Sequence, residues 1–324
     1  MRIKFGRLLA GLVLAGASVA SQAGTTATFS NAYFFGDSLT DTGNILAFTG
    51  GATPVAPYFT GRFSDGPVWA EYLAAGIGLP GASTASLQGG NNYAFGGART
   101  AGGGIPSLLA QVGGFTSGAA TLDPGALYVV VAGGNDMRDA RSAFPTMDAA
   151  GAAGRLDAAT AAATNLGTAI SLLAAKGAQN VLLSNLPDLG TTPEAVGLGL
   201  VAPSTDATMQ FNMLVGSLVG FGQSLGLSMS FLDMAGVGLA IRNDALTNGG
   251  AIYGITNVFT PCGTFPGSVG ISCSVSGFSD ALHPSGVAHA LIGAAAVTVV
   301  PEPATWLLMA AGVASLLAAR RRQA

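Results

Sequence analysis

The chain is 324 residues long, 49% hydrophobic and only 9% charged, with 49 glycines. That supplies apolar side chains for one large or two ordinary cores and leaves charge far below the roughly 25% of an average soluble domain. Six of its 13 basic residues sit in the first seven and last five positions, so residues 24–300 keep seven basic side chains against 15 acidic ones. That net charge of about −8 argues against nucleic acid and against anionic lipid headgroups as main partners.

Arg2, Lys4 and Arg7 precede an uncharged apolar run from Leu8 to about Ala20, and Ser21-Gln22-Ala23 puts small residues where a signal peptidase reads. This is the pattern of a secretory signal peptide cleaved after Ala23, with an apolar core short for a membrane span. Beyond it, residues 32–35 form a short, continuous apolar run rich in aromatics, broken by Gly36-Asp37-Ser38, which reads as a buried strand ending in a turn. In open parallel α/β sheets the ligand lies beyond the carboxyl ends of the strands, where Ser38 would then sit. Taken alone, Gly-Asp-Ser is equally an ordinary turn.

After a loop rich in proline and aromatics over residues 49–65, a helix is expected from Pro67 through Trp69, Tyr72 and Leu73, with proline in its first turn. Residues 92–95 form a short apolar element stopped by Gly96-Gly97. Residues 126–132 are the clearest buried strand, stopped by Gly133-Gly134-Asn135-Asp136. Helical spacing over residues 148–176, notably Leu156, Ala163, Leu166, Ile170 and Leu173, predicts a long helix capped by Gly177. A strand over 180–184, a helix over 204–225, a strand over 229–232 and a last helix over 284–297 complete the alternation. Such a pattern calls for a parallel sheet covered on both faces, in one domain spanning residues 24–299.

The chemistry-bearing residues are few. His283 lies three positions after Asp280, and an imidazole near pKa ~6.5 with a carboxylate to fix its tautomer is the usual make-up of a general base. His289, inside an apolar helical stretch, reads as a core residue. Glycines after strands let backbone N–H groups approach a ligand, and asparagine offers an amide; Gly96-Gly97 and Asn135 therefore qualify as oxyanion donors, although such turns are common. Cys262 and Cys273, 11 apart in a chain bound for an oxidising compartment, are expected to pair as a disulfide. Two cysteines and two histidines at these spacings make no zinc site, so no metal is expected. The glycines of residues 97–104 lack the Gly-Lys-Ser/Thr of a phosphate loop and the dinucleotide-binding spacing.

Residues 35–44, Phe-Gly-Asp-Ser-Leu-Thr-Asp-Thr-Gly-Asn, resemble the first sequence block of GDSL esterases/lipases of the SGNH hydrolase superfamily. Residues 92–98 resemble the second block, Gly133-Gly134-Asn135-Asp136 the third, and Asp280-Ala281-Leu282-His283 the last. Residues 61–69 are similar to the segment that follows the first block in many members. The resemblance implies a flavodoxin-like three-layer α/β/α sandwich with a parallel sheet. It also implies Ser38 as nucleophile, His283 as base and Asp280 as its orienter. Gly97, or by a one-residue slip Gly96, and Asn135 are the implied oxyanion donors. Asp37 and Asp41 take turn-stabilising roles, and no metal or organic cofactor is implied. Pro57-Tyr58-Phe59 and Phe63 either line an acyl pocket or pack under their loop.

The far end reads Val300-Pro301-Glu302-Pro303, then uncharged residues 304–319, then Arg320-Arg321-Arg322. An apolar segment ending in a basic cluster inserts with its arginines on the cytoplasmic side. Motif, span and cap resemble the PEP-CTERM sorting signal of Gram-negative bacteria. That resemblance implies cleavage by an exosortase and delivery to the cell surface or extracellular matrix, with transient anchoring by the tail over residues 300–324. The function so implied is secreted ester hydrolysis through an acyl-enzyme on a small-molecule, lipid or acylated-polysaccharide ester. Polysaccharide O-deacetylation, or a surface protein that keeps the fold to bind polysaccharide, is the alternative.

Overall fold

The structure, a computed structural model, describes residues 29–300. The expected signal peptide (1–23) and the tail beyond residue 300 lie outside the described residues.

Four parallel strands, β1 (Ala32–Gly36), β2 (Leu127–Val131), β3 (Asn180–Ser184) and β4 (Ser228–Leu232), lie side by side in chain order. Their register pairs Phe34 with Val129, Val129 with Leu182, and Leu182 with Ser230. Residues 91–95 run along the free edge of β1: Phe34 N–H donates to Asn91 O at 3.1 Å, and Tyr93 N–H to Phe34 O at 2.7 Å. With that edge counted second in chain order, the sequence across the sheet is 2-1-3-4-5, the doubly wound flavodoxin-like order, whose switch point lies between β1 and β2.

Nine helices among the described residues accompany the sheet: α1 (Asn44–Phe48), α2 (Trp69–Gly76), α3 (Leu108–Ser117), α4 (Gly134–Ala143), α5 (Ala149–Ala175), α6 (Pro193–Gly197), α7 (Val201–Ser224), α8 (Met234–Asn248) and α9 (Gly286–Val299). Because side chains alternate along a strand, each strand feeds two cores. Phe35, Tyr128, Val130, Val181 and Leu183 pack with α3, α5 and α7 through Leu108, Leu166, Ile170 and Phe211. Phe34, Val129, Val131, Leu182 and Leu232 face α2 and α9 through Trp69, Leu73, Ile292 and Ala296. The result is the three-layer sandwich with a parallel sheet.

Several boundaries differ from the sequence reading for identifiable reasons. The second helix starts at Trp69, with Val68 as its cap and Glu71 accepting the Val68 N–H at 2.9 Å, so Pro67 stands outside the first turn. The seventh helix starts three residues earlier than expected, because Pro203 falls in a first turn where its missing N–H has no partner to lose. Leu156 is 45% exposed, and the fully buried Arg155 takes the inward position beside it. The eighth helix, Met-Ala-Gly-Val-Gly-Leu, was hidden by its glycines; Asp233 caps it by accepting the Gly236 N–H at 2.9 Å.

Candidate active site

Ser38 lies just past β1, in a turn where Asp37 O accepts the N–H groups of Thr40 and Asp41 and Asp37 Oδ1 accepts that of Leu39. Gly36 is required there: a Cβ at this position would meet Val131 O at 2.2 Å. The turn is pinned from below by Asp41, whose carboxylate accepts N–H groups from Gly43, Asn44, Ile45 and Gly96 at 2.7–3.0 Å. Burial pushes the Asp41 carboxyl up against the pull of those four donors. Asp37, also buried, is pushed up to about 6, with the Leu39 N–H and the charge of His283 opposing. Both aspartates thus hold the turn.

The loop before α9 brings in the other two members. His283 Nε2 stands 2.9 Å from Ser38 Oγ, and His283 Nδ1 stands 2.7 Å from Asp280 Oδ2, across 245 and three positions of sequence. Asp280 Oδ1 accepts the N–H groups of Leu282 and His283 at 2.7 and 2.6 Å, while the Tyr58 hydroxyl donates to Oδ2 at 2.5 Å. Burial alone would raise the Asp280 carboxyl. The hydrogen bond and charge of His283, its backbone N–H and the Tyr58 hydroxyl outweigh burial and hold it well below the usual carboxylate range. An ionised Asp280 favours the proton on Nδ1, leaving the Nε2 lone pair for the Ser38 hydroxyl.

The two candidate oxyanion glycines separate cleanly. Gly96 N–H is committed to Asp41, whereas Gly97, at φ +80°, and Ser38 have no backbone N–H acceptor among the described residues. Asn135, in the first turn of α4, donates through Nδ2 to Ala98 O at 2.9 Å, while its Oδ1 accepts from Arg138 at 3.3 Å. Those two contacts fix which end of the amide is the nitrogen and leave one N–H over.

Tyr58 and Phe63 pack behind the site and do not line its cavity. Phe63 stacks on the His283 ring with centroids 5.1 Å apart, and Tyr58 is held edge-on between Phe63 and Phe265. Nothing in the sequence marked Tyr58 as a partner of Asp280. His289 is fully buried; its Nδ1 accepts the Trp69 N–H at 3.2 Å, and burial, helped by the charge of His283, pushes it down to about 3. Cys262 and Cys273 form a disulfide. They also make up, with Asp65, the one cluster of possible metal ligands among the described residues, so those sulfurs are already bonded to each other.

Ser38 and His283 open onto a cavity of about 120 Å³ whose walls are mostly apolar, including Leu186, Leu189, Ile241, Val258, Leu282 and Ile292.

The model of the GDSL-like lipase/acylhydrolase family matches residues 33–296. The chain belongs to that family. Residues 299–322 match the PEP-CTERM protein-sorting motif, which marks proteins for export and surface sorting in Gram-negative bacteria. Phosphatidylcholine-sterol acyltransferase of Aeromonas hydrophila is 31% identical over 195 residues, covering 58% of this chain and 53% of that one. Acetylajmalan esterase 2 of Rauvolfia serpentina is 40% identical over 102 residues, 26% and 27% of the two chains. The chain thus spans about half the length of the first of these relatives and about a quarter of the second. Among solved structures, a carbohydrate acetylesterase from Sinorhizobium meliloti superposes with a TM-score of 0.45 at 17% identity, covering 83% of this chain and 96% of that one.

Proposed function

We propose that this chain is an exported serine ester hydrolase acting through an acyl-enzyme on Ser38. The observation that carries the reading is the unbroken hydrogen-bonded series Ser38 Oγ, His283, Asp280, with each link at 2.7–2.9 Å. His283 Nε2 takes the Ser38 proton as Oγ attacks the ester carbonyl. The N–H groups of Ser38 and Gly97 and the Asn135 amide receive the oxyanion. Asp280, ionised at any working pH, steadies the imidazolium; the alcohol leaves with the proton from Nε2. Water activated by the same imidazole then releases the acid, and no step calls for a cofactor.

Relatives named phosphatidylcholine-sterol acyltransferase and acetylajmalan esterase support a carboxylic ester as substrate, carried on a small molecule, lipid or acylated polysaccharide. The apolar lining of the cavity favours an ester with an apolar portion. The sorting motif supports delivery to the surface or extracellular matrix, with an exosortase as processing partner.

Hydrolysis of p-nitrophenyl esters from acetyl to palmitoyl by the full chain, beside Ser38→Ala, tests the reading. The expected result is turnover that falls at least about a thousandfold in the variant. Undiminished hydrolysis by Ser38→Ala would falsify it.

A further inference from the structure

Five of the six arginines among the described residues are ion-paired with carboxylates. Arg242 is the exception. Its contacts are one long hydrogen bond to Val258 O at 3.4 Å and the face of Phe259, 5.2 Å from ring centroid to guanidinium carbon. A guanidinium carries five N–H donors, so most of these are uncommitted, although the side chain is half-buried. A guanidinium with donors to spare can take up an anionic oxygen group without giving up an existing ion pair.

Arg242 lines the same cavity as Ser38 and His283. It does so from α8, where Met234, Gly238, Ile241 and Arg242 recur at helical spacing on one face. Arg138, the other cation in the lining, is already held by Glu194 at 2.5 Å and spends a donor on Asn135. The acidic side chains of the lining hold neutral donors and do not pair with Arg242: Asp188 accepts from the Gly190 N–H and the Thr205 hydroxyl, and Asp37 from the Leu39 N–H. Among the described residues Arg242 is therefore the one arginine of the mostly apolar lining without a carboxylate partner.

We infer that Arg242 is a specificity residue that holds an anionic oxygen group, phosphate or carboxylate, on an amphiphilic ester whose apolar portion fills the cavity. The inference rests on the ester-hydrolase reading above. It does not conflict with the chain's negative charge. That field acts at long range and slows the approach of any anion, whereas the guanidinium acts at contact, with the bidentate geometry such oxygens match. Since Arg242 acts on a part of the substrate remote from the reacting carbonyl, its contribution falls on KM and leaves kcat nearly unchanged.

Two matched pairs of soluble substrates test this. Hexanoyl lysophosphatidate against 1-hexanoylglycerol reads a phosphate on the alcohol side; p-nitrophenyl hydrogen suberate against p-nitrophenyl octanoate reads a carboxylate on the acyl side. In at least one pair the charged member is expected to show a kcat/KM about 10- to 100-fold higher, the usual weight of a charge-assisted hydrogen bond. Arg242→Met should abolish that preference through KM while leaving the neutral members within about twofold, and Arg242→Lys should keep part of it. Which pair responds identifies the anion. Parity or a neutral preference in both pairs with the wild-type chain overturns the inference, as does an unchanged ratio in Arg242→Met. Should Arg242→Met fail to fold, the wild-type ratios and Arg242→Lys decide. Absence of p-nitrophenyl octanoate hydrolysis by the wild-type chain would count against the ester-hydrolase reading itself.

Discussion

Two histidines six residues apart meet opposite surroundings. His283 has a hydroxyl on one ring nitrogen and a carboxylate on the other, while His289 is sealed under α2 with only the Trp69 N–H at Nδ1 and no partner at Nε2 among the described residues. With burial pushing His289 down to about 3, the unfolded chain binds a proton near pH 6.5 that the folded chain refuses. Stability from this group is complete above pH 6.5 and is lost as pH falls toward 3, a loss on the order of a few kcal/mol. Asp37, raised to about 6, has the opposite slope between pH 4 and 6, so the wild-type curve alone mixes the two. His289→Asn retains an acceptor for Trp69 and removes the titration. Urea unfolding from pH 7 to 4 should show a variant whose stability falls less steeply than wild type; parallel curves would contradict the assignment. At this scale the sequence was legible where candidate residues sit in short local blocks, as with Ser38, Asp280 and His283, which the fold brings within hydrogen-bond distance. It was silent on Arg242 and on the partner of Tyr58, whose meaning comes from contacts: Tyr58 meets Asp280 across 222 positions.

The fifth helix shows why the element scale was only partly legible. Its stretch is so rich in alanine that apolar identity hardly distinguishes its faces, and Leu156 reads as inward when its neighbour Arg155 holds that position. Arg155 is fully buried, pairs with Asp206 of α7 at 2.6 Å, and caps the carbonyls of Phe144 and Thr146 at 2.6 and 2.7 Å. It thereby ties two helices and the loop before α5 together with one side chain, which no hydrophobic period encodes. Strands were easier, since residues 126–132 carry a continuous apolar run, the pattern of a buried parallel strand. Removing the guanidinium strands two carbonyls and a partly exposed carboxylate, so Arg155→Ala should lose about 3 kcal/mol. A lower urea midpoint at unchanged slope is the expected reading, with the site chemistry intact in the folded fraction.

At the scale of the whole molecule, export and catalysis meet in one loop. Cys262 and Cys273 close a segment that carries Phe265, almost fully buried, whose ring packs 4.9 Å from that of Tyr58. Tyr58 in turn donates to the Asp280 carboxylate, which stands 2.7 Å from His283 Nδ1. The disulfide therefore backs the contact between Tyr58 and Asp280, and through it His283. By loop-closure entropy the bond contributes about 3 kcal/mol to stability, and its loss frees Phe265 to leave Tyr58. The double variant Cys262→Ser/Cys273→Ser should accordingly unfold at a lower temperature and also lose several-fold in kcat. Tyr58→Phe should lose a similar factor in kcat while keeping most of its stability, because the ring stays and only the hydroxyl goes. If the disulfide acts on catalysis through this contact, removing it in the Tyr58→Phe background should cost kcat little further. Full additivity of the two losses would show that the loop reaches the site by another route.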